Sequence, residues 1–464
     1  MQLLHGLSSG QVLQRLGHRG VCGATARLVG TVSGTGSILA SVLARQGPLP
    51  GWKGRRVGQA KKGVFRAILK GLPEGGPYRL ELRTEDGAET IRISPFFVGD
   101  VWLLAGQSNM EGCGNRHGGA KPHPLIQAFS LRRVWRRATE PLHIKDESPD
   151  SCHSSTQCTR EEGEKQRRVA VKGTGPALHF ARFMLQRSGV PQGLICAAHG
   201  GTSMTQWDPS LNRKKKNSGD SLYGSLLLSI WATDQPVAGV LWYQGESDAT
   251  DADAPLYGKR IRRFIRSIRR DLRQPHLPFL VVQIARVFEC GRNAGAWNRI
   301  QEEQRRLSGE VTWLETVAAV DLPLDDHIHI GADGHLRLGS RLARVANFLV
   351  YRNRGESRVP QLKAIGTPRQ ELSTNSIVLD VTFDNIVGGL HSVGETNGFA
   401  LLDNQGKKLD IIYRVRLLGS SVRLYIQAMP PSGSRLSYGH GLTPVCNITD
   451  GRDFSLPAFG PLEI

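Results

Sequence analysis

The sequence predicts an α/β fold: a mostly parallel sheet flanked by helices, with a β-rich, sandwich-like domain at each end. Three observations lead there. Between residues 98 and 352, apolar runs of strand length alternate with stretches of helical periodicity, the pattern of a parallel sheet covered on both faces. Before residue 98 and after residue 357 the alternation has period two, in short runs set apart by turn residues. The chain has 464 residues, enough for three such units.

Residues 1–97 contain Tyr78-Arg79-Leu80-Glu81-Leu82-Arg83 and Thr90-Ile91-Arg92-Ile93, joined across Glu85-Asp86-Gly87, a hairpin turn signal. In residues 98–352, the expected catalytic domain, 176–187 and 257–272 read as the clearest helices. In the second, Ile261, Phe264, Ile265 and Ile268 share one face and arginines the other. Leu336, Leu338, Leu342 and Val345 supply the apolar positions of a last helix. The stretch 147–166 is polar and aperiodic and predicts an exposed loop. After a polar linker at 352–357, the runs 376–383 and 422–426 predict strands of a C-terminal domain, residues 357–464.

Four strand ends carry the chemistry. Gly99-Asp100-Val101-Trp102-Leu103-Leu104-Ala105 delivers Gly106-Gln107-Ser108-Asn109-Met110 to a turn at the sheet's C-terminal edge, where open α/β sheets bind ligands. A serine needs a base, an orienting acid and oxyanion donors to act as a nucleophile. The apolar run 316–320 ends in Asp325-Asp326-His327-Ile328-His329. Asp326 stands three residues before His329, so its carboxylate can accept from Nδ1 and leave Nε2 to face a serine. His327 is the rival base. The run 193–198 ends in His199-Gly200-Gly201-Thr202, whose paired glycines let backbone N–H groups approach a ligand. The run 238–243 ends in Gln244-Gly245-Glu246, and a glutamine amide there can donate to an oxyanion. The Gly-x-Ser-x-Gly elbow of α/β-hydrolases is absent around Ser108, because Met110 stands where the second glycine belongs.

Gly-Gln-Ser-Asn-Met at 106–110, Gly-Gly-Thr-Ser-Met-Thr-Gln-Trp at 200–207, Trp-Tyr-Gln-Gly-Glu-Ser at 242–247 and Asp326-x-x-His329 resemble the sialate O-acetylesterase family. That family belongs to the SGNH hydrolase superfamily and is related to acetylxylan esterases. The segments 446–450 and 456–461 also look like its C-terminal part. The resemblance implies an SGNH-type sheet and a sugar O-acetylesterase working through an acetyl-serine, without metal or cofactor. It implies Ser108 as nucleophile, His329 as base and Asp326 as its partner. The oxyanion hole would come from the Ser108 and Gly201 N–H groups and the Gln244 side chain. Gln107, Asn109, Thr202, Trp207, Tyr243 and Glu246 stand beside these motifs and are expected to bind substrate. Tyr223 and Trp242 join Trp207 and Tyr243 either in a sugar-stacking wall or in the core. The motifs describe the ester chemistry and leave the sugar open, whether sialate, xylan or another polysaccharide.

Two rivals stand against this reading. A metal-dependent hydrolase would use Asp325, Asp326, His327, His329 and His335, but would leave the serine and glycine motifs unexplained. A non-catalytic glycan-binding protein would use the flanking β domains. Lys plus Arg number 60 against 41 Asp plus Glu, a formal charge of +19, which fits anionic sugars without selecting them. The basic residues are spread along the chain, with no zinc-ligand spacing or stacking platform beside them, so a nucleic-acid partner is not expected. Cysteines 22, 113, 152, 158, 196, 290 and 446 follow no disulfide or metal pattern, although Cys152 and Cys158 are near enough in sequence to pair. Cys113, between Gly112 and Gly114, has no base beside it and reads as structural. No apolar stretch reaches membrane-spanning length, and no signal peptide follows Met1. The sequence leaves the location open: cytoplasmic by default, exported if the true start lies upstream.

Overall fold

One strand, Thr90–Gly106, runs through two regions of the molecule. The computed structural model describes residues 1–464 except 18–22, 215–218, 290, 354 and 372–374. Cys22, Cys290 and part of the basic run at 213–216 thus lie outside the described residues. The first half of the long strand pairs antiparallel with Gly75–Thr84, and the register Arg83↔Thr90, Leu82↔Ile91, Leu80↔Ile93 is that of the expected hairpin. Gly87 turns that hairpin at φ +72°. Gly36–Ala44, Arg55–Lys61, Val64–Pro73 and Gly23–Thr31 continue the antiparallel sheet over a core that includes Leu28, Ile38, Phe65 and Leu80. The expected junction at 97/98 falls inside the strand, which passes unbroken from this sheet into the central one.

The central sheet is parallel in the order Ile126–Phe129, Gln192–Cys196, Thr90–Gly106, Gly239–Tyr243, Phe279–Gln283, Leu314–Ala318. From the strand that leads to Ser108 the chain first fills one side, laying down the outer Ile126–Phe129 before the adjacent Gln192–Cys196, then crosses to build outward on the other. That strand is therefore the switch point, where the ends of neighbouring connections diverge and leave a crevice. Gly106 makes the exit possible: its φ is +128°, and a Cβ there would lie 2.1 Å from the Tyr243 carbonyl oxygen.

The helices are α1 (Ser108–Glu111), α2 (Arg160–Val169), α3 (Pro176–Ser188), α4 (Pro209–Lys214), α5 (Leu222–Trp231), α6 (Ala254–Asp271), α7 (Ala294–Glu310) and α8 (Ala332–Leu349). In α6 the face Tyr257, Ile261, Phe264, Ile265, Ile268 is buried, as its periodicity predicts. In α8 Leu338, Leu342 and Val345 are buried but Leu336 is exposed, because Arg341 and His335 occupy the buried face beside them. The stretch 147–166 departs from the loop expectation. Thr159 and Glu162 form a capping box that starts α2, and Glu147 is buried in an ion pair with Arg167 at 3.1 Å. Glu147, Ser148, Asp150 and His153 are buried while most of the other polar residues of the segment are exposed, so composition reads the exposure but neither the helix nor the buried groups.

Glu140 is buried against Thr174 and Gly175, with its oxygens 2.8 Å from Thr174 Oγ1 and 3.3 Å from the Gly175 N–H. Burial outweighs both bonds and pushes its carboxyl up to about 7. A carboxyl raised in the folded state contributes stability below its ordinary value, and that contribution is lost as pH rises through the folded value. Glu140→Gln is therefore expected to lose less melting temperature than the parent between about pH 5 and about pH 8. Thermal melts across that range test it; parallel curves would show that Glu140 does not titrate there.

The C-terminal region packs a sheet of Ser376–Asp384, Ser421–Ile426, Ile412–Leu418, Gln361–Ile365 and Arg369–Glu371 against one of Phe399–Leu402, Arg435–Tyr438, Phe459–Glu463 and Lys408–Leu409. Leu379, Leu424, Leu401, Leu436 and Phe459 share their core, which Val320 of the central region joins. Buried polar groups hold the two regions together: Gln283 Nε2 donates to the Ala458 carbonyl at 2.8 Å, and its Oε1 accepts from the Ala458 N–H at 2.9 Å. Among the described residues, no helix is long and apolar enough to cross a membrane.

Candidate active site

Ser108 opens α1 directly after the switch-point strand, and its backbone N–H is free of intrahelical partners, as at any helix start. The next residue, Asn109, is buried and binds three residues on two segments. Its Nδ2 donates to Glu246 Oε1 at 2.9 Å and to the Ile328 carbonyl at 3.4 Å, and its Oδ1 accepts from the Ile330 N–H at 3.0 Å. Asn109 thus grips the backbone on both sides of His329 and fixes the histidine loop to the serine turn.

Within that loop the Asp326 carboxylate folds back on its own turn. Oδ1 accepts from the Ile328 N–H at 3.0 Å and the His329 N–H at 2.8 Å, and Oδ2 lies 2.9 Å from His329 Nδ1. With Nδ1–H donating to the carboxylate, Nε2 keeps the lone pair. Lys172 Nζ also donates to Oδ2, at 2.6 Å. Burial would push the Asp326 carboxyl up, but Lys172, the two backbone N–H groups and His329 hold it well below the usual carboxylate range. His327, the rival base, is exposed, and its carbonyl accepts from the Phe288 N–H; the Asp326 carboxylate meets the ring of His329. Asp325 accepts from the Asn115 N–H at 2.6 Å. His335, on the buried face of α8, has neither ring nitrogen bonded. Among the described residues, no group of three or more His, Cys, Asp or Glu side chains converges as a metal site.

The paired glycines approach Ser108 from the neighbouring strand end. A Cβ on Gly200 would lie 3.4 Å from Ser108 Cβ and 3.0 Å from Glu111 Oε2. The Gly200 N–H is already donated to Glu111 Oε2. Gly201 follows at φ +74° with open space around it, and its N–H has no acceptor among the described residues. His143 braces the same turn. Its Nδ1–H donates to the Glu111 carbonyl at 3.0 Å, and its Nε2 accepts from the Ala198 N–H at 3.3 Å.

Several expected substrate contacts belong instead to the framework. Trp207 is fully buried, edge-on to Trp242 at 5.4 Å, and its Nε1 donates to Thr202 Oγ1 at 2.9 Å. Tyr243, Trp242 and Tyr223 are likewise buried, so the aromatic wall is core and not a sugar platform. Thr202 donates to the His199 carbonyl at 2.7 Å and shapes the glycine turn. Gln107 Oε1 accepts from the Gly245 and Ser247 N–H groups at 3.4 and 3.3 Å. Glu246 is buried and its carboxyl is raised by that burial, with Asn109 opposing the rise. Gln244 donates its amide to the Thr202 carbonyl at 3.0 Å and to Asp248 at 2.5 Å, and its Oε1 has no partner. Both hydrogens of that amide point to protein acceptors, not to open space.

Lys172, His143 and Glu111 are parts of the site that sequence reasoning missed. Each acts across a long sequence separation, which spacing does not report. Cys113, Cys152, Cys158, Cys196 and Cys446 are free thiols, so Cys152 and Cys158 are not paired. Burial pushes the Cys113 thiol up to about 12, the opposite of a reactive cysteine.

Residues 98–347 match the family model described as carbohydrate esterase, sialic acid-specific acetylesterase. A probable carbohydrate esterase of Arabidopsis thaliana is 29% identical over 283 residues, 55% of this chain and 94% of that protein. The sialate O-acetylesterase of Homo sapiens is 26% identical over 236 residues, 46% of this chain and 44% of its own. The chain thus spans less than half the length of that second relative. The crystal structure of a carbohydrate acetylesterase from Xanthomonas citri superposes with a TM-score of 0.70 at 23% identity, over 98% of this chain and 97% of its own. At that identity the likeness shows the shared α/β architecture, including both flanking β regions.

Proposed function

Because the chain belongs to the sialic acid-specific acetylesterase family of carbohydrate esterases, we propose that it hydrolyses acetyl esters on sugars with Ser108, His329 and Asp326. The observation that carries this reading is the Asp326–His329 pair at 2.9 Å, in a loop that Asn109 ties to the serine turn. His329 Nε2 takes the Ser108 proton as Oγ attacks the acetyl carbonyl. The tetrahedral oxyanion meets the N–H groups of Ser108 and Gly201. The same imidazole then returns the proton to the departing sugar oxygen. Water, deprotonated by His329, attacks the acetyl-serine and releases acetate, restoring Ser108.

Gln244 was the third expected oxyanion donor. With its amide held by Thr202 and Asp248, its role in this reading is to fix the 199–204 turn that presents Gly201. The sugar is not selected by these residues, and O-acetylated sialic acid and acetylated xylan are the substrates to compare first. The formal charge of +19 supports trying the anionic one.

A fluorophosphonate probe tests the mechanism directly. Labelling of Ser108 in a peptide map, together with acetate release from one of the two sugars, is the expected result; labelling elsewhere would refute the nucleophile. Asn109→Ala should lower kcat about a hundredfold with little change in KM, since it frees the histidine loop without touching the acetyl group. Steady-state kinetics on the better sugar measures that split.

A further inference from the structure

His199 ends the turn before Gly200, and the mechanism above gives it no part. Its ring meets that of His153 edge to edge and nearly coplanar, with 21° between the planes, centroids 5.2 Å apart and the two Nδ1 atoms 3.0 Å apart. The protons along this contact can be assigned from its far end. Ser225 donates its single hydroxyl hydrogen to Asp150 Oδ2 at 2.6 Å, a charge-assisted bond that outcompetes the neutral Cys152 thiol beside it. Ser225 Oγ therefore accepts from His153 Nε2, 3.1 Å away. A neutral His153 with its proton at Nε2 offers a lone pair at Nδ1. His199 Nδ1–H must donate to that lone pair, which leaves His199 Nε2 unprotonated.

Burial pushes His153 down to about 3 and His199 down to about 4, so both rings are neutral at neutral pH and the assignment is self-consistent. Arg133 pairs with Asp150 and closes the chain at its far end. His199 itself is half-buried, and among the described residues its ring makes its hydrogen bond through Nδ1, to His153. The following residue, Gly200, lies against Ser108, so His199 adjoins the turn of the proposed catalytic centre.

We propose that the relay Asp150–Ser225–His153–His199 presents His199 Nε2 as a fixed hydrogen-bond acceptor for a free hydroxyl of the sugar that carries the acetyl ester. His199 is then a specificity residue: it binds a donor, takes no proton, and discriminates polyol esters from esters of alcohols without a neighbouring hydroxyl. This role rests on Ser108 being the esterase nucleophile.

Two measurements test it. Long-range proton–nitrogen NMR of the histidine side chains at neutral pH should show His199 protonated at Nδ1 and His153 at Nε2, with signals assigned by His199→Gln. The reverse pattern at either ring overturns the relay. The second measurement is the ratio of kcat/KM for the better acetylated sugar to that for 4-nitrophenyl acetate, which has no hydroxyl. His199→Phe should lower this ratio about tenfold, mainly through KM, as one lost hydrogen bond would. His199→Gln, which keeps a carbonyl acceptor, should recover part of it, and Ser225→Ala should lower it in the same direction. An unchanged ratio, or equal loss on both esters, overturns the proposal. If the parent cleaves neither ester, the esterase reading fails and the sugar role with it. The NMR pattern then still decides whether the relay exists.

Discussion

Ser108→Ala is expected to lower acetate release by about four orders of magnitude or more while the protein stays folded. The alanine keeps the Cβ that Gly200 packs against, and α1 loses no hydrogen bond that Ser108 Oγ makes within the chain. What disappears is the atom proposed to carry the acetyl group between the two half-reactions. The Asp326–His329 pair and the free N–H groups at 108 and 201 remain, so a small residual rate over water is expected, as when any one member of such a set is removed. Kinetics with matched circular dichroism spectra measures this. Activity near the parent level in a folded variant would move the chemistry to the acids and histidines of the 325–329 loop.

Asp326→Asn should be nearly as damaging, about 10⁴-fold in kcat, for an electronic reason rather than a steric one. The amide can present an N–H where the carboxylate presented Oδ2, which forces His329 to carry its proton on Nε2, the atom that must accept from Ser108. It also leaves Lys172 Nζ without the oxygen it now meets at 2.6 Å. The pH dependence sharpens the test. A carboxyl depressed in the folded state contributes stability above its ordinary value and loses it only as pH falls through the folded value. Since Asp326 is held well below the usual range by Lys172, two backbone N–H groups and His329, it stays ionised throughout mildly acidic solution. Lys172→Met removes the first of these, and the acid limb of the rate profile is expected to move to higher pH in that variant. A pH–rate profile of both variants, with KM measured alongside, checks the pair: an Asp326→Asn enzyme with parental kcat would remove Asp326 from the mechanism.

The fold was legible where hydrophobic period and turn chemistry agreed. The run 98–106, the amphipathic α6 and the hairpin at Glu85-Asp86-Gly87 all follow from local pattern, because burial on one face leaves a period in the sequence. The stretch 147–166 was not legible. Its helix is announced by Thr159 and Glu162, but Glu147, Asp150 and His153 are buried by partners outside it, so a polar composition conceals the buried side chains of a largely exposed segment. The aromatic residues misled in the opposite direction: proximity of Trp207 and Tyr243 to the motifs suggested a sugar wall, yet large apolar rings near a strand end are drawn into the core before they reach a ligand.

By itself the sequence determined the alternating α/β architecture, the family, and the Asp326-x-x-His329 pairing, since each depends on residues close together in the chain or on periodic burial. Only the tertiary structure decided which donors remain free. Gly200 and Gly201 are equivalent in sequence, but Glu111 takes the first N–H and leaves the second; Gln244 looks like an oxyanion donor until Thr202 and Asp248 are found holding its amide. It likewise decided that Lys172 sits on Asp326 and that His153 orients His199. A hydrogen bond is specified by direction over about three ångströms, and directions between distant segments exist only once the chain has folded.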